Sequence, residues 1–163
     1  MEYEINSKVA IGHVHLTVSD LERAKRFYCD VLGFKVSATF GESAVFLSSG
    51  NYHHHIGLNT WAGEGATKPP KGHTGLYHFA ILYPDRAELA KAFKALWEAN
   101  YPIEGASDHG VSESIYLKDP DGNGIELYCD RPQDEWPTDE DGNLVMFTRS
   151  LDLPDLLAEL DNP

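Results

Sequence analysis

Two imidazoles and a carboxylate on separate strand-like stretches are the residues of this chain best suited to chemistry. His13 and His15 lie in IGHVHLTV, His78 in GLYHFAIL and Glu126 in GIELY, each among apolar neighbours. A carboxylate in an apolar strand needs a partner. Two neutral imidazoles and one carboxylate form a facial ligand set suited to divalent iron or manganese. Such a set leaves positions open for a bidentate substrate and for dioxygen. The ligands expected are His13, His78 and Glu126. Strand alternation sets Thr17 and His15 beside His13, Ala80 beside His78, and Gly124 and Tyr128 beside Glu126. A single histidine in a strand is more often a hydrogen-bonded core or surface residue than a ligand. Two histidines at equivalent places of a repeat lower the odds of coincidence.

The repeat is read from the elements that must carry these residues. Residues 11–18 alternate as a strand with His13, His15 and Thr17 on one face and apolar residues on the other. Ser19 or Asp20 caps a helix with Leu21, Ala24, Phe27, Tyr28, Val31 and Leu32 at helical spacing, stopped by Gly33. Residues 34–39, 44–49 and 53–60 read as strands separated by Gly41-Glu42 and Gly50-Asn51. After the Gly-, Pro- and Lys-rich connection WAGEGATKPPKGHTG the pattern restarts, with a strand at 76–83 and a helix opened by Asp85. Leu89, Phe93, Leu96 and Trp97 fall on one face of that helix. His13 and His78 are 65 positions apart, as are Asp20 and Asp85. Strands at 102–106, 112–118 and 124–129, with the turn DPDGNG before the last, complete the second copy. The expected fold class is therefore α+β, with two tandem β-α-β-β-β modules at 8–61 and 74–131. Residues 132–163 form a tail with a short amphipathic helix near Pro154, read as a cover or an oligomer contact.

Composition narrows the partners. With 42% hydrophobic and 24% charged residues, the 163-residue chain is long enough to bury a core. A formal charge of −13 disfavours nucleic acid and anionic membrane surfaces. No apolar run approaches a bilayer span, and MEYEINSK lacks the features of a signal peptide, so a cytoplasmic protein is expected. Cys29 and Cys129 fit that compartment without a disulfide and make no zinc motif.

The segments HVHLTVSDLERAKRFYCDVLGF, LYHFAILYPDRAEL and YLKDPDGNGIELYCDRP resemble the vicinal oxygen chelate superfamily over about residues 8–131. That superfamily includes glyoxalase I, extradiol ring-cleaving dioxygenases, fosfomycin-resistance proteins and bleomycin-binding proteins. The resemblance implies paired modules whose curved mixed sheets enclose a metal. Glyoxalase I takes one ligand from the first and last strand of each module, here His13, a residue near Gly57, His78 and Glu126. Gly57 has no side chain to offer, which leaves the fourth position vacant unless His55 is displaced into it. A vacant position looks like the extradiol dioxygenases, which keep two histidines and one glutamate and place a tyrosine ten residues before the glutamate. Tyr116 stands there, and His109 is the nearest candidate for their acid-base histidine. With the tail included, the chain looks closest to the catechol 2,3-dioxygenase-like group.

The resemblance thus implies an extradiol-type cleavage of a catecholic ring with dioxygen, using Fe2+, with Mn2+, Ni2+ and Zn2+ as alternatives. His109 would act as acid or base and Tyr116 would hydrogen-bond a substrate oxygen. His15, His55 and Asn59 are placed toward the substrate, and His15 or His55 could take the role of His109. A glyoxalase I-like lyase or isomerase and a non-catalytic binder of a small aromatic or drug are the alternatives. A homodimer is expected, with modules paired within a chain or exchanged across the dimer. Weaker signals include the run His53, His54 and His55, of which one is expected to line a cavity. DPDGNG and TDEDGN are turns, since neither carries the distal glutamate of a calcium loop. Lys68, Lys71 and Arg131 could attract an anionic substrate.

Overall fold

Asp20 and Asp85, the expected helix starts, each accept a hydrogen bond from the backbone N–H three residues on, at 2.9 and 2.8 Å. The computed structural model describes residues 3–70 and 72–161. Lys71, one of the expected surface cations, lies outside the described residues, as do the last two residues of the tail. The chain divides into two units, Met1–Thr67 and Lys68–Pro163, with the boundary inside the Gly- and Pro-rich connection.

The first unit runs β1 (Val14–Thr17), α1 (Leu21–Arg26), β2 (Lys35–Phe40), β3 (Ala44–Ser48) and β4 (Ile56–Asn59). Its sheet order is β1-β4-β3-β2, with β1 and β4 parallel and the other pairs antiparallel. In the second unit the same order returns as β5 (Phe79–Tyr83), α2 (Arg86–Glu98), β6 (Ile103–Asp108), β7 (Ser112–Lys118) and β8 (Gly124–Asp130). Its sheet order is β5-β8-β7-β6-β9, where β9 is Arg149–Ser150, again with the first pair parallel. The duplication extends to irregularities, because the strand after each helix carries a bulge, between Val36 and Ala38 and between Ile103 and Gly105. The fold is α+β with two mixed sheets, as expected.

Three local readings need correction. The first helix does not continue to Leu32, since Phe27–Val31 forms a π-helical turn in which the Leu32 N–H reaches the Phe27 carbonyl at 3.2 Å. The wider turn lets the consecutive residues Phe27 and Tyr28 both face the core, at 3% and 0% exposure. Strands β1, β4 and β5 start later than expected, so His13, His55 and His78 each sit one residue before a strand. Trp97 is exposed at the edge of α2, against the Phe93 ring, while Leu89, Phe93 and Leu96 are buried. Among the described residues no helix is long and apolar enough to cross a membrane.

The tail joins the second unit. A short strand β9 (Arg149–Ser150) extends the sheet along β6, and α3 (Leu153–Ala158) buries Leu156. Arg86 ties this segment down by pairing with Glu113, Asp155 and Glu159 at 2.7, 2.7 and 2.5 Å.

Tyr83, at the end of β5, has its hydroxyl pushed up to about 12 by burial and the Glu88 carboxylate. An unfolded tyrosine titrates near ~10. Between those values the native state holds a proton that the unfolded chain has lost. This stabilisation is therefore complete below about pH 10 and declines as pH rises toward 12. The denaturant midpoint is expected to fall between about pH 9 and about pH 11, and Tyr83→Phe should reduce that fall. An identical fall in the variant would assign it to other groups.

Candidate functional site

Hairpin register decides what surrounds Glu126. On β8 it lies opposite Tyr116 of β7 on one side and Ala80 of β5 on the other. The Tyr116 hydroxyl donates to Glu126 Oε1 at 3.0 Å, and Ala80 leaves the carboxylate room. His78 brings Nε2 to 3.0 Å from Glu126 Oε2, with side chains 31% and 13% exposed. His109, just past β6, places Nε2 at 2.7 Å from the Tyr116 oxygen. Glu126, Tyr116 and His109 thus form a hydrogen-bonded run, and His78 stands in close contact with its carboxylate end. Burial, followed by the Glu126 carboxylate, pushes the Tyr116 hydroxyl up to about 12, so near neutral pH it is a phenol and a donor.

His78, His109, Tyr116, Tyr77 and Thr148 help line a cavity of about 640 Å³. The His78 backbone is brought in by a close approach, since a Cβ on Gly124 would stand 2.1 Å from the Tyr77 carbonyl oxygen. An imidazole nitrogen and a carboxylate oxygen 3.0 Å apart, the imidazole at the cavity wall, are donors that a divalent cation takes as neighbouring ligands. Among the described residues, no group of three or more His, Cys, Asp or Glu stands ready to hold a metal. The second unit by itself offers this pair.

The first unit answers the question of the fourth ligand. Gly57 lies opposite His15 of β1 and Phe46 of β3, as Glu126 lies opposite Ala80 and Tyr116. Gly57 is therefore the structural counterpart of Glu126. A Cβ there would stand 2.9 Å from the His15 ring, so the missing side chain makes room for that imidazole. His13 is exposed, with its ring 4.4 Å from that of His54. Desolvation and the His13 and His53 imidazoles hold His54 below the ordinary histidine value. His55 is held by Ser48 Oγ at 3.1 Å and by the Ser49 N–H at 3.3 Å. Asn59 is 4% exposed, and its Oδ1 accepts from the Trp61 N–H at 3.0 Å and the Thr17 hydroxyl at 3.3 Å.

The residue pattern pointed to His78 and Glu126, and the superfamily resemblance added Tyr116 and His109; neither gave what holds His109. Its Nδ1 lies 2.9 Å from the Phe147 carbonyl oxygen and 3.3 Å from Thr148 Oγ1. No local signal marks that contact, which spans 38 residues. Arg131, expected as a free cation, is engaged by Glu113 and Asp108 at 2.7 and 3.2 Å. Among the described residues it therefore serves the ion-pair network shared with Arg86.

The repeated modules and their sheets define a class, and sequence comparison specifies it. The profile of the Glyoxalase/Bleomycin resistance protein/Dioxygenase superfamily matches residues 10–127, and the chain belongs to that superfamily. It is 43% identical over 155 residues to a catechol-2,3-dioxygenase of Bacillus subtilis, covering 95% of this chain and 53% of that protein. It is 30% identical over 120 residues to a biphenyl-2,3-diol 1,2-dioxygenase of Rhodococcus globerulus, covering 74% and 63%. The chain spans less than two thirds of the length of either relative. The crystal structure of a lactoylglutathione lyase from Agrobacterium tumefaciens is also similar, with TM-score 0.58, 26% identity and coverage of 76% of this chain and 96% of that one.

Proposed function

We propose that this chain performs, or forms part of a protein that performs, extradiol-type cleavage of a catecholic ring with dioxygen. The observation that carries the reading is the row of His78, Glu126, Tyr116 and His109, in which His78 Nε2 lies 3.0 Å from the Glu126 carboxylate and hydrogen bonds run from there through Tyr116 to His109. His78 and Glu126, with His13 from the same chain or from a second copy, are the proposed ligands of a divalent metal, Fe2+ first among the candidates. When bound, that metal supplies the Lewis acidity that draws in both catechol oxygens and favours loss of a phenolic proton.

The protein's own groups do the rest. Glu126 supplies the negative charge of the ligand set from a site only 13% exposed, where charge interactions are less screened than at the surface. Tyr116, protonated up to about 12, donates a hydrogen bond to a substrate oxygen. His109 takes up or returns a proton at Nε2, the nitrogen facing Tyr116. His15 and His55 are proposed to face the substrate. Asn59 acts in this reading by holding the Thr17 and Trp61 ends of its neighbours in place. The similarity to two dioxygenases of dihydroxylated aromatic rings supports the substrate class.

A glyoxalase I-like lyase is the second reading, favoured by the likeness to the lactoylglutathione lyase structure. The Gly57 position weighs against it, because the His15 ring takes the space where a fourth ligand from β4 would stand. The test is to load the protein with Fe2+ under anaerobic conditions, then add a catechol and air. A yellow ring-fission product is expected. No such product across several catechols, with turnover of an α-ketoaldehyde–thiol adduct instead, would replace the first reading by the second.

A further inference from the structure

The tail segment that reaches His109 lies beyond the part of the chain matched by the superfamily profile. A backbone carbonyl oxygen can only accept a hydrogen bond. The 2.9 Å contact between His109 Nδ1 and the Phe147 oxygen therefore requires the proton to sit on Nδ1. Thr148 Oγ1, 3.3 Å from the same nitrogen, closes that side of the ring. Only Nε2, 2.7 Å from the Tyr116 hydroxyl, is then left to gain or lose a proton.

The segment that delivers this carbonyl is anchored without the His109 ring. The Phe147 N–H returns to the His109 carbonyl at 3.3 Å, and Arg149 and Ser150 pair with Asp108 and Ser107 as β9. The Phe147 ring packs over Gly110, where a Cβ would stand 2.6 Å from it, and the Arg149 guanidinium lies 4.1 Å above the same ring. Gly110 also has φ +80°, a conformation that L side chains rarely adopt. The turn after β6 is thus shaped to receive an aromatic residue from the tail.

We propose that the tail is a working part of the site. Phe147 is a positioning residue that holds His109 in the Nδ1–H form with Nε2 aimed at Tyr116. The Tyr116 hydroxyl has one proton and two acceptors within reach, Glu126 Oε1 at 3.0 Å and His109 Nε2 at 2.7 Å. When the proton points to Glu126, Nε2 must itself carry hydrogen to satisfy the contact; when it points to His109, Nε2 is bare. Proton gain and loss at the imidazole is thereby confined to one nitrogen. This role in turnover rests on the acid-base function proposed for His109, whereas the tautomer itself does not.

The test uses the full chain labelled with 15N at histidine. NMR of the metal-free protein is expected to show hydrogen on His109 Nδ1, assigned by its loss in His109→Gln. In Phe147→Ala the Nδ1–H fraction should drop, and kcat on catechol should fall by roughly tenfold with KM and bound metal unchanged. Phe147→Leu, which keeps an apolar anchor over Gly110, should restore most of both signals. A wild-type His109 carrying hydrogen only on Nε2 overturns the proposal. So does a folded Phe147→Ala protein whose tautomer and kcat match wild type. If the wild-type protein cleaves no catechol, the dioxygenase reading fails by itself, and the tautomer measurement still decides the positioning role.

Discussion

Replacing His78 by Ala is expected to lower divalent-metal affinity by more than about 100-fold and to remove ring-cleaving turnover, because a direct ligand outweighs the outer-shell contacts whose loss costs roughly 10- to 100-fold. The fold should survive. His78 lies outside β5, is 31% exposed at its side chain, and contributes no strand pairing. Its loss still leaves the Glu126 carboxylate, among the described residues, with the Tyr116 hydroxyl as a hydrogen-bond donor. Metal content after dialysis and calorimetric titration with Fe2+ or Mn2+ read the affinity, while circular dichroism reports the fold. Tyr116→Phe is the matching control, since it deletes the hydroxyl and leaves both proposed ligands in place. Unchanged metal affinity in His78→Ala would remove His78 from the ligand set and with it the three-residue assignment.

Gly124→Ala should cost stability and the site together. The added Cβ would stand 2.1 Å from the Tyr77 carbonyl oxygen and 3.1 Å from His78 Cβ. The nearer obstacle is backbone, which cannot rotate away, so β8 or the Tyr77–His78 segment must move. Overpacking of this kind costs roughly 1–3 kcal/mol and occasionally more. The denaturant midpoint should fall, and metal affinity should fall with it because the segment that moves carries His78. Gly57→Ala is the informative comparison. There the added Cβ meets the His15 ring at 2.9 Å, and a side chain can turn aside at lower cost. Equal tolerance at the two glycines would mean that the close approach at Gly124 does not position His78.

The hairpin that carries Tyr116 and Glu126 was legible because its geometry is local. Residues 116 and 126 are centred on the turn DPDGNG, and in an antiparallel hairpin residues equally far from the turn come face to face. The structure pairs Tyr116 with Glu126, Leu117 with Ile125 and Lys118 with Gly124. The turn that sets this register is held by Asp119, whose Oδ1 accepts from the Asp121 and Asn123 N–H groups at 2.9 and 2.8 Å. The repeat was equally legible, since the 65-residue offset carries the histidines and the helix caps together. The helix-to-π transition at Phe27 was not. Both helix types accept the same residues, and the choice depends on which side chains the sheet beneath will bury.

The sequence by itself determined the two β-α-β-β-β modules, their helix caps and the hairpin turn between their last two strands. These follow from periodicity, capping and hairpin register, which act between near neighbours along the chain. The tertiary structure alone decided that Gly57 yields its space to His15, that Gly124 admits the Tyr77 carbonyl, and that Phe147 holds His109. Each depends on which atoms meet when separated segments pack, and close packing allows one arrangement where many sequences would satisfy the local rules.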